Sequence, residues 1–131
     1  MKRLRAPQRR ESAIQAAVLG CLRAHGVLCW PLNRERAGYR RASHIGFRGL
    51  PDIGGVLTGG RAVFVEVKRG SEQPSAYQRA AHEMLRAQGA LVFTAWGVED
   101  VAPGLREIPP PTMGGRPISW ATARRISRDG P

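Results

Sequence analysis

Residues 51–68 read PDIGGVLTGGRAVFVEVK, and the last seven of them, AVFVEVK, decide how the rest of the chain is arranged. A strand turns alternate side chains to opposite faces, so Val63, Val65 and Val67 share one face while Phe64, Glu66 and Lys68 share the other. The valine face is built for a core. The second face sets a carboxylate beside an ammonium on an otherwise apolar strand, which is costly unless the charges are paired or bound to something. DIGGVL ahead of it is also strand-like, and TGG between the two runs predicts a β-hairpin, with Gly54 and Gly55 permitting a bulge or a close backbone approach.

With Leu57 and Ala62 opposed across the turn, counting back along both strands brings Asp52 to the neighbourhood of Glu66, and the glycines leave that register open by one residue. Asp52, Glu66 and Lys68 then converge at one end of the ribbon. Close carboxylates repel, which favours a shared proton or a bound divalent cation. A lysine beside them lowers the repulsion and can contact a phosphate. Taken singly, Asp52 after Pro51 reads as a turn residue, and Glu66 with Lys68 as an ion pair on a half-exposed face. Their convergence on apolar elements is what points to a site.

Outward from the hairpin, Ile14, Ala17, Val18, Cys21 and Leu22 recur at helical spacing between Glu11 and Ala24, and Gly26 is placed to end that helix. Glu11 falls on the same stripe as Ile14, Val18 and Leu22. It either looks inward toward the acids or sits in the first turn and complements the helix dipole. VLCW at 27–30 reads as a strand, and the arginine-rich stretch from Pro31 to Arg48 as a loop. Ser75 followed by Gln78 resembles a capping box for a second helix, whose apolar stripe is Tyr77, Ala80, Ala81, Met84 and Leu85 and which Gly89 ends. ALVFTA returns as a strand, so a strand, a helix and a strand in succession imply a parallel pair. VEDVAPGL adds a short helix, REIPPPTMGGRP a Pro/Gly-rich spacer, and ISWATARRISRDGP a basic tail.

The chain of 131 residues is sized for one domain, and no apolar stretch reaches the roughly 20 residues a bilayer crossing needs. The basic start MKRLRAPQRR lacks the apolar segment of a secretory signal, so a cytoplasmic protein is expected. Cys21 and Cys29 have no metal-type spacing and suit reduced core thiols. Lys and Arg number 21 against 10 Asp and Glu, a net charge of +11, clustered in the first ten residues, from Arg34 to Arg48, and in the tail. Such clusters either supply phosphate contacts or form a solvated basic surface. There is no Gly-rich phosphate loop, no Ser/His/Asp set and no cysteine zinc motif. His44 and His82 carry little weight as lone histidines, and Trp30, Trp96 and Trp120 are too scattered for a base-stacking platform and read as core or tail anchors.

PD at 51–52 followed by EVK at 66–68 resembles the PD-(D/E)XK nuclease signature. WPLN, GFRGLPDIGGVL, VFVEVKRG, YQRAAHEMLRAQGALVF and VEDV narrow the resemblance to its VRR-NUC branch (virus-type replication-repair nucleases), which includes small standalone phage proteins. The resemblance implies an α/β fold, an αβββαβ restriction-endonuclease-like core with a mixed central sheet flanked by helices, over residues 11–105. Residues 1–10 would be a basic arm and 106–131 the spacer and tail. It implies a Mg²⁺- or Mn²⁺-dependent DNA endonuclease, with branched or junction DNA as substrate and a homodimer as the acting species. Asp52, Glu66 and the main-chain carbonyl of Val67 would hold the metal, and Glu11 would reach it through water. Lys68 would orient and deprotonate the attacking water or stabilise charge on the phosphate, and Gln78 would position Lys68 or the water. Arg9, Arg10, Arg34, Arg36, Arg40, Arg41, Arg48 and Arg69 would hold the DNA backbone. The competing reading is a non-catalytic basic DNA-binding module with structural carboxylates.

Overall fold

The computed structural model describes residues 6–32 and 48–118, with side chains described from residue 11 onward. Helix α1 (Ala6–Ala24) leads into strand β1 (Leu28–Pro31), the hairpin β2 (Ile53–Val56) and β3 (Ala62–Val67), helix α2 (Ala76–Ala87) and strand β4 (Leu91–Ala95). A 3₁₀ turn (Val98–Asp100), a short α3 (Ala102–Leu105) and a small hairpin of β5 (Thr112–Met113) and β6 (Arg116–Pro117) follow. The main sheet runs β1-β2-β3-β4, antiparallel across its first two pairs and parallel across β3 and β4. This is the expected mixed α/β order, and the expected loop at 33–47 and the tail from 119 lie outside the described residues.

The alternation of AVFVEVK sets the two layers. Val63, Val65 and Val67 are fully buried against Val18 and Leu22 of α1, and Val101 and Leu105 close the same core. Ile14, Val18 and Leu22 are the inward residues of α1, four apart, as the helical period requires. Cys29 completes that core as a buried free thiol. The opposite face, with Glu66, lies under α2. No helix among the described residues is long and apolar enough to cross a membrane.

Four expectations are corrected. Helix α1 opens at Ala6, not Glu11, so residues 6–10 of the expected arm are helical, and Glu11 stands beyond the first turn, which carries no acidic residue. Its half-buried position on the Ile14 stripe therefore has nothing to do with the helix start. The ladder runs without a bulge from Ile53↔Val65 to Val56↔Ala62, one residue away from a Leu57↔Ala62 register. The glycines serve approach instead: a side chain at Gly55 would collide with the Leu28 carbonyl oxygen and come within 2.8 Å of Cys29 Cβ on the neighbouring strand. On α2, Tyr77, Ala80 and Met84 are exposed, and the inner face is Gln78, Ala81, His82 and Leu85. Counting apolar residues misplaces that face because the surface beneath it carries a carboxylate in need of donors. Finally, the Pro/Gly spacer holds the β5–β6 hairpin, turned by Gly114 and Gly115.

Candidate active site

The hairpin register decides the geometry. One step beyond the Ile53↔Val65 pair, Asp52 stands opposite Glu66, at the end of β2 where the chain enters from Pro51. Asp52 Oδ2 accepts a 2.7 Å hydrogen bond from the Val67 amide, so the aspartate is pinned to the same residue whose carbonyl the metal reading invokes. Glu66 is almost completely buried, 2% exposed. Its Oε1 lies 3.5 Å from Lys68 Nζ and accepts a 3.0 Å bond from Gln78 Nε2. Its Oε2 is buried without a hydrogen-bond partner.

Gln78 reaches the acid because its own helix cap fixes it. Ser75 caps α2 through its hydroxyl, which accepts from the Gln78 amide, and Gln78 Oε1 accepts from the Ser75 amide at 2.8 Å. The reciprocal cap leaves the carboxamide nitrogen aimed at the sheet. The structure thus couples Gln78 to Glu66, where the family resemblance assigned it to Lys68 or the water.

Solved structures share this arrangement of elements. One described as a VRR_NUC domain superposes with a TM-score of 0.56 at 27% identity, over 75% of this chain and 96% of that one. The chain shares the fold of VRR-NUC domains. A second structure, described as a VRR_NUC domain protein, shares the fold at a TM-score of 0.53 and 16% identity, over 75% of this chain and 86% of that one. No family model and no curated protein matches the chain. A VRR-NUC domain is a nuclease-family domain, which bounds the chemistry the pocket is read against.

Electrostatics in this site are dominated by burial. Desolvation, and next the neighbouring Asp52 charge, push the Glu66 carboxyl up from about 4.5 to about 8, with Lys68 pulling the other way. Glu66 therefore keeps a proton at neutral pH in the metal-free chain. A divalent cation between the two acids would replace that proton, and the hard oxygen donors, together with a buried carboxylate oxygen that has no partner, fit such an ion. Among the described residues, no three His, Cys, Asp or Glu side chains form a metal-holding cluster.

The remaining expected residues are placed unevenly. Arg48 lies 3.8 Å over the ring of Tyr77, and Arg69 bonds Glu72 at 2.8 Å, so both are held by the protein next to the site's own helix and strand. Arg34, Arg36, Arg40, Arg41 and His44 lie outside the described residues, as do Trp120 and the side chains of Arg9 and Arg10. Trp30 is 44% exposed on β1 and is no core anchor, while Trp96 Nε1 donates to the Glu72 carbonyl at 2.9 Å.

His82 is the residue that sequence reasoning undervalued. It is buried, 3% exposed, with Nε2 3.9 Å from Glu66 Oε2. Burial, then Arg86 and Lys68, hold its pKa below the usual value, so it is neutral there. The signal was available: His82 stands four residues after Gln78, one helical turn along the same face.

Proposed function

We propose that this domain is a Mg²⁺- or Mn²⁺-dependent DNA endonuclease that hydrolyses phosphodiester bonds, selective for branched or junction DNA and acting as a homodimer. The observation that carries the reading is the meeting of Asp52 with a buried Glu66 and the Lys68 ammonium at one end of a hairpin. A pure binding module gains nothing from two acids where phosphates would lie.

Asp52, Glu66 and the Val67 carbonyl would hold the ion, with Glu11 reaching it through water. When bound, the cation supplies Lewis-acid activation of water and neutralises charge on the phosphoryl oxygens. Lys68 stands 3.5 Å from Glu66 with its side chain 13% exposed, so its ammonium can face both the acids and an incoming backbone. There it orients the attacking water or stabilises the charge that builds on the phosphate. Gln78 keeps Glu66 in place, and Arg48 and Arg69, with the arginine-rich segments, would grip the backbone.

The test is a panel of labelled DNA substrates (four-way junction, flap, splayed arm, duplex) incubated with Mn²⁺ or Mg²⁺, alongside Asp52→Ala and Lys68→Ala. Cleavage of a branched substrate by the wild type, lost in both variants while DNA binding persists, is the expected result. Full activity in both variants would end the reading.

A further inference from the structure

Two side chains of α2 one turn apart, Gln78 and His82, both face the Glu66 carboxylate, one toward each oxygen. Gln78 Nε2 donates to Oε1 at 3.0 Å. His82 Nε2 lies 3.9 Å from Oε2, and each of those two atoms is buried with no hydrogen-bond partner. A histidine buried only for packing ordinarily satisfies its ring nitrogens with backbone or other side-chain groups, because an orphaned buried polar atom costs about 1–3 kcal/mol. Here the ring nitrogen and the carboxylate oxygen face each other across a gap that a small side-chain movement closes, and the oxygen keeps a second lone pair for a cation.

We propose that His82 is a positioning residue for Glu66: as a donor to Oε2, paired with Gln78 on Oε1, it fixes the orientation in which the carboxylate meets a divalent cation. The inference rests on the metal-site reading above. Two donors from one rigid helix hold the plane of a carboxylate that would otherwise rotate about its last bond, and such outer donors govern how tightly a ligand set takes its metal. The same helix presents both donors one turn apart, so their spacing follows from the helical period.

Mn²⁺ titrated into the metal-free chain without DNA, with free ion followed by electron paramagnetic resonance, separates the possibilities. The variants are Asp52→Ala, His82→Leu and His82→Gln, each checked for folding by circular dichroism. Asp52→Ala should abolish binding. His82→Leu should weaken it about 10- to 100-fold, the range for lost outer donors, and His82→Gln, which returns an N–H donor, should bind close to wild type. Wild-type affinity in His82→Leu, with Asp52→Ala still inactive in binding, overturns the role of His82 and leaves the metal site standing. Unchanged binding in Asp52→Ala overturns the site itself. Equal loss in His82→Leu and His82→Gln also overturns the donor role. If His82→Leu does not fold, long-range ¹H–¹⁵N spectra of the wild-type imidazole decide: Nε2 must carry the proton in the Mg²⁺-loaded chain, and an unprotonated Nε2 there sinks the proposal.

Discussion

Burial favours a proton on Glu66 where the proposed metal site requires it to lose one, and that tension has a measurable sign. Its folded-state pKa of about 8 stands above the ordinary value near 4.5, so folding takes up a proton that the unfolded chain has already released. Where the folded state binds more protons than the unfolded, stability falls with rising pH. The contribution is complete below about pH 4.5 and is lost as pH climbs through 8. His82 works in the opposite direction, because its lowered pKa makes folding less favourable once pH drops below its ordinary value of 6.5. The clean window for Glu66 is therefore above 6.5. The metal-free wild type should lose thermal stability between pH 6.5 and 8.5, by at most about 1.4 kcal/mol per pH unit, and Glu66→Gln should be flatter over the same range. Mg²⁺ should raise the melting temperature more at pH 8.5 than at pH 6.5, since ligation needs the carboxylate deprotonated. A wild-type profile parallel to that of Glu66→Gln would remove the buried proton from the account.

At the scale of single elements, β2 and α2 each join fold to site. Gly55 lets β1 lie against β2 where any side chain would strike the Leu28 carbonyl, so Gly55→Ala should destabilise the domain by about 1–3 kcal/mol, the cost of overpacking a dense contact, read by urea unfolding. On α2 the cap and the acid contact can be pulled apart. Ser75→Ala removes the hydroxyl from an exposed cap and should cost about 1 kcal/mol in stability with Mn²⁺ affinity little changed. Gln78→Glu keeps an acceptor for the Ser75 amide yet brings another carboxylate to Glu66 Oε1, so helix stability should hold while cleavage falls. Activity undiminished in Gln78→Glu would show that the Gln78 contact is incidental. These elements also mark what could be read in advance. The hairpin, its two carboxylates and the Ser75–Gln78 cap follow from alternation, turn residues and spacing, all local properties. The inner face of α2 does not, because half-buried Gln78 and buried His82 are polar residues turned toward Glu66, a tertiary effect that hydrophobic periodicity ranks below Tyr77 and Met84. The start of α1 was missed for a related reason: Pro7 stands in its first turn, where its missing amide costs nothing, and a reading from apolar spacing had no mark there.

Across the whole molecule, the sheet separates a dry side from a working side. Val63, Val65 and Val67 bury against α1, leaving the other face to carry Glu66 beneath α2, and the net charge of +11 over the whole chain favours a polyanionic partner. That charge acts through counterion release, so DNA affinity measured with Ca²⁺ in place of Mg²⁺ should fall linearly on a log–log plot against salt, with a slope of about −0.9 for every phosphate neutralised. Arg69 gives the sharpest probe, since it follows Lys68 directly and its guanidinium is held at 2.8 Å by Glu72 and 30% exposed. If it grips a phosphate beside the acids, Arg69→Ala should reduce the steepness of that slope by about 1 and weaken all substrates alike. Glu72→Ala frees the same guanidinium without removing its charge, so its salt slope should match the wild type. Fluorescence anisotropy on one labelled junction across a salt series reads all three proteins. An unchanged slope in Arg69→Ala would assign that arginine to the Glu72 contact alone and leave the backbone grip to the chain's other arginines.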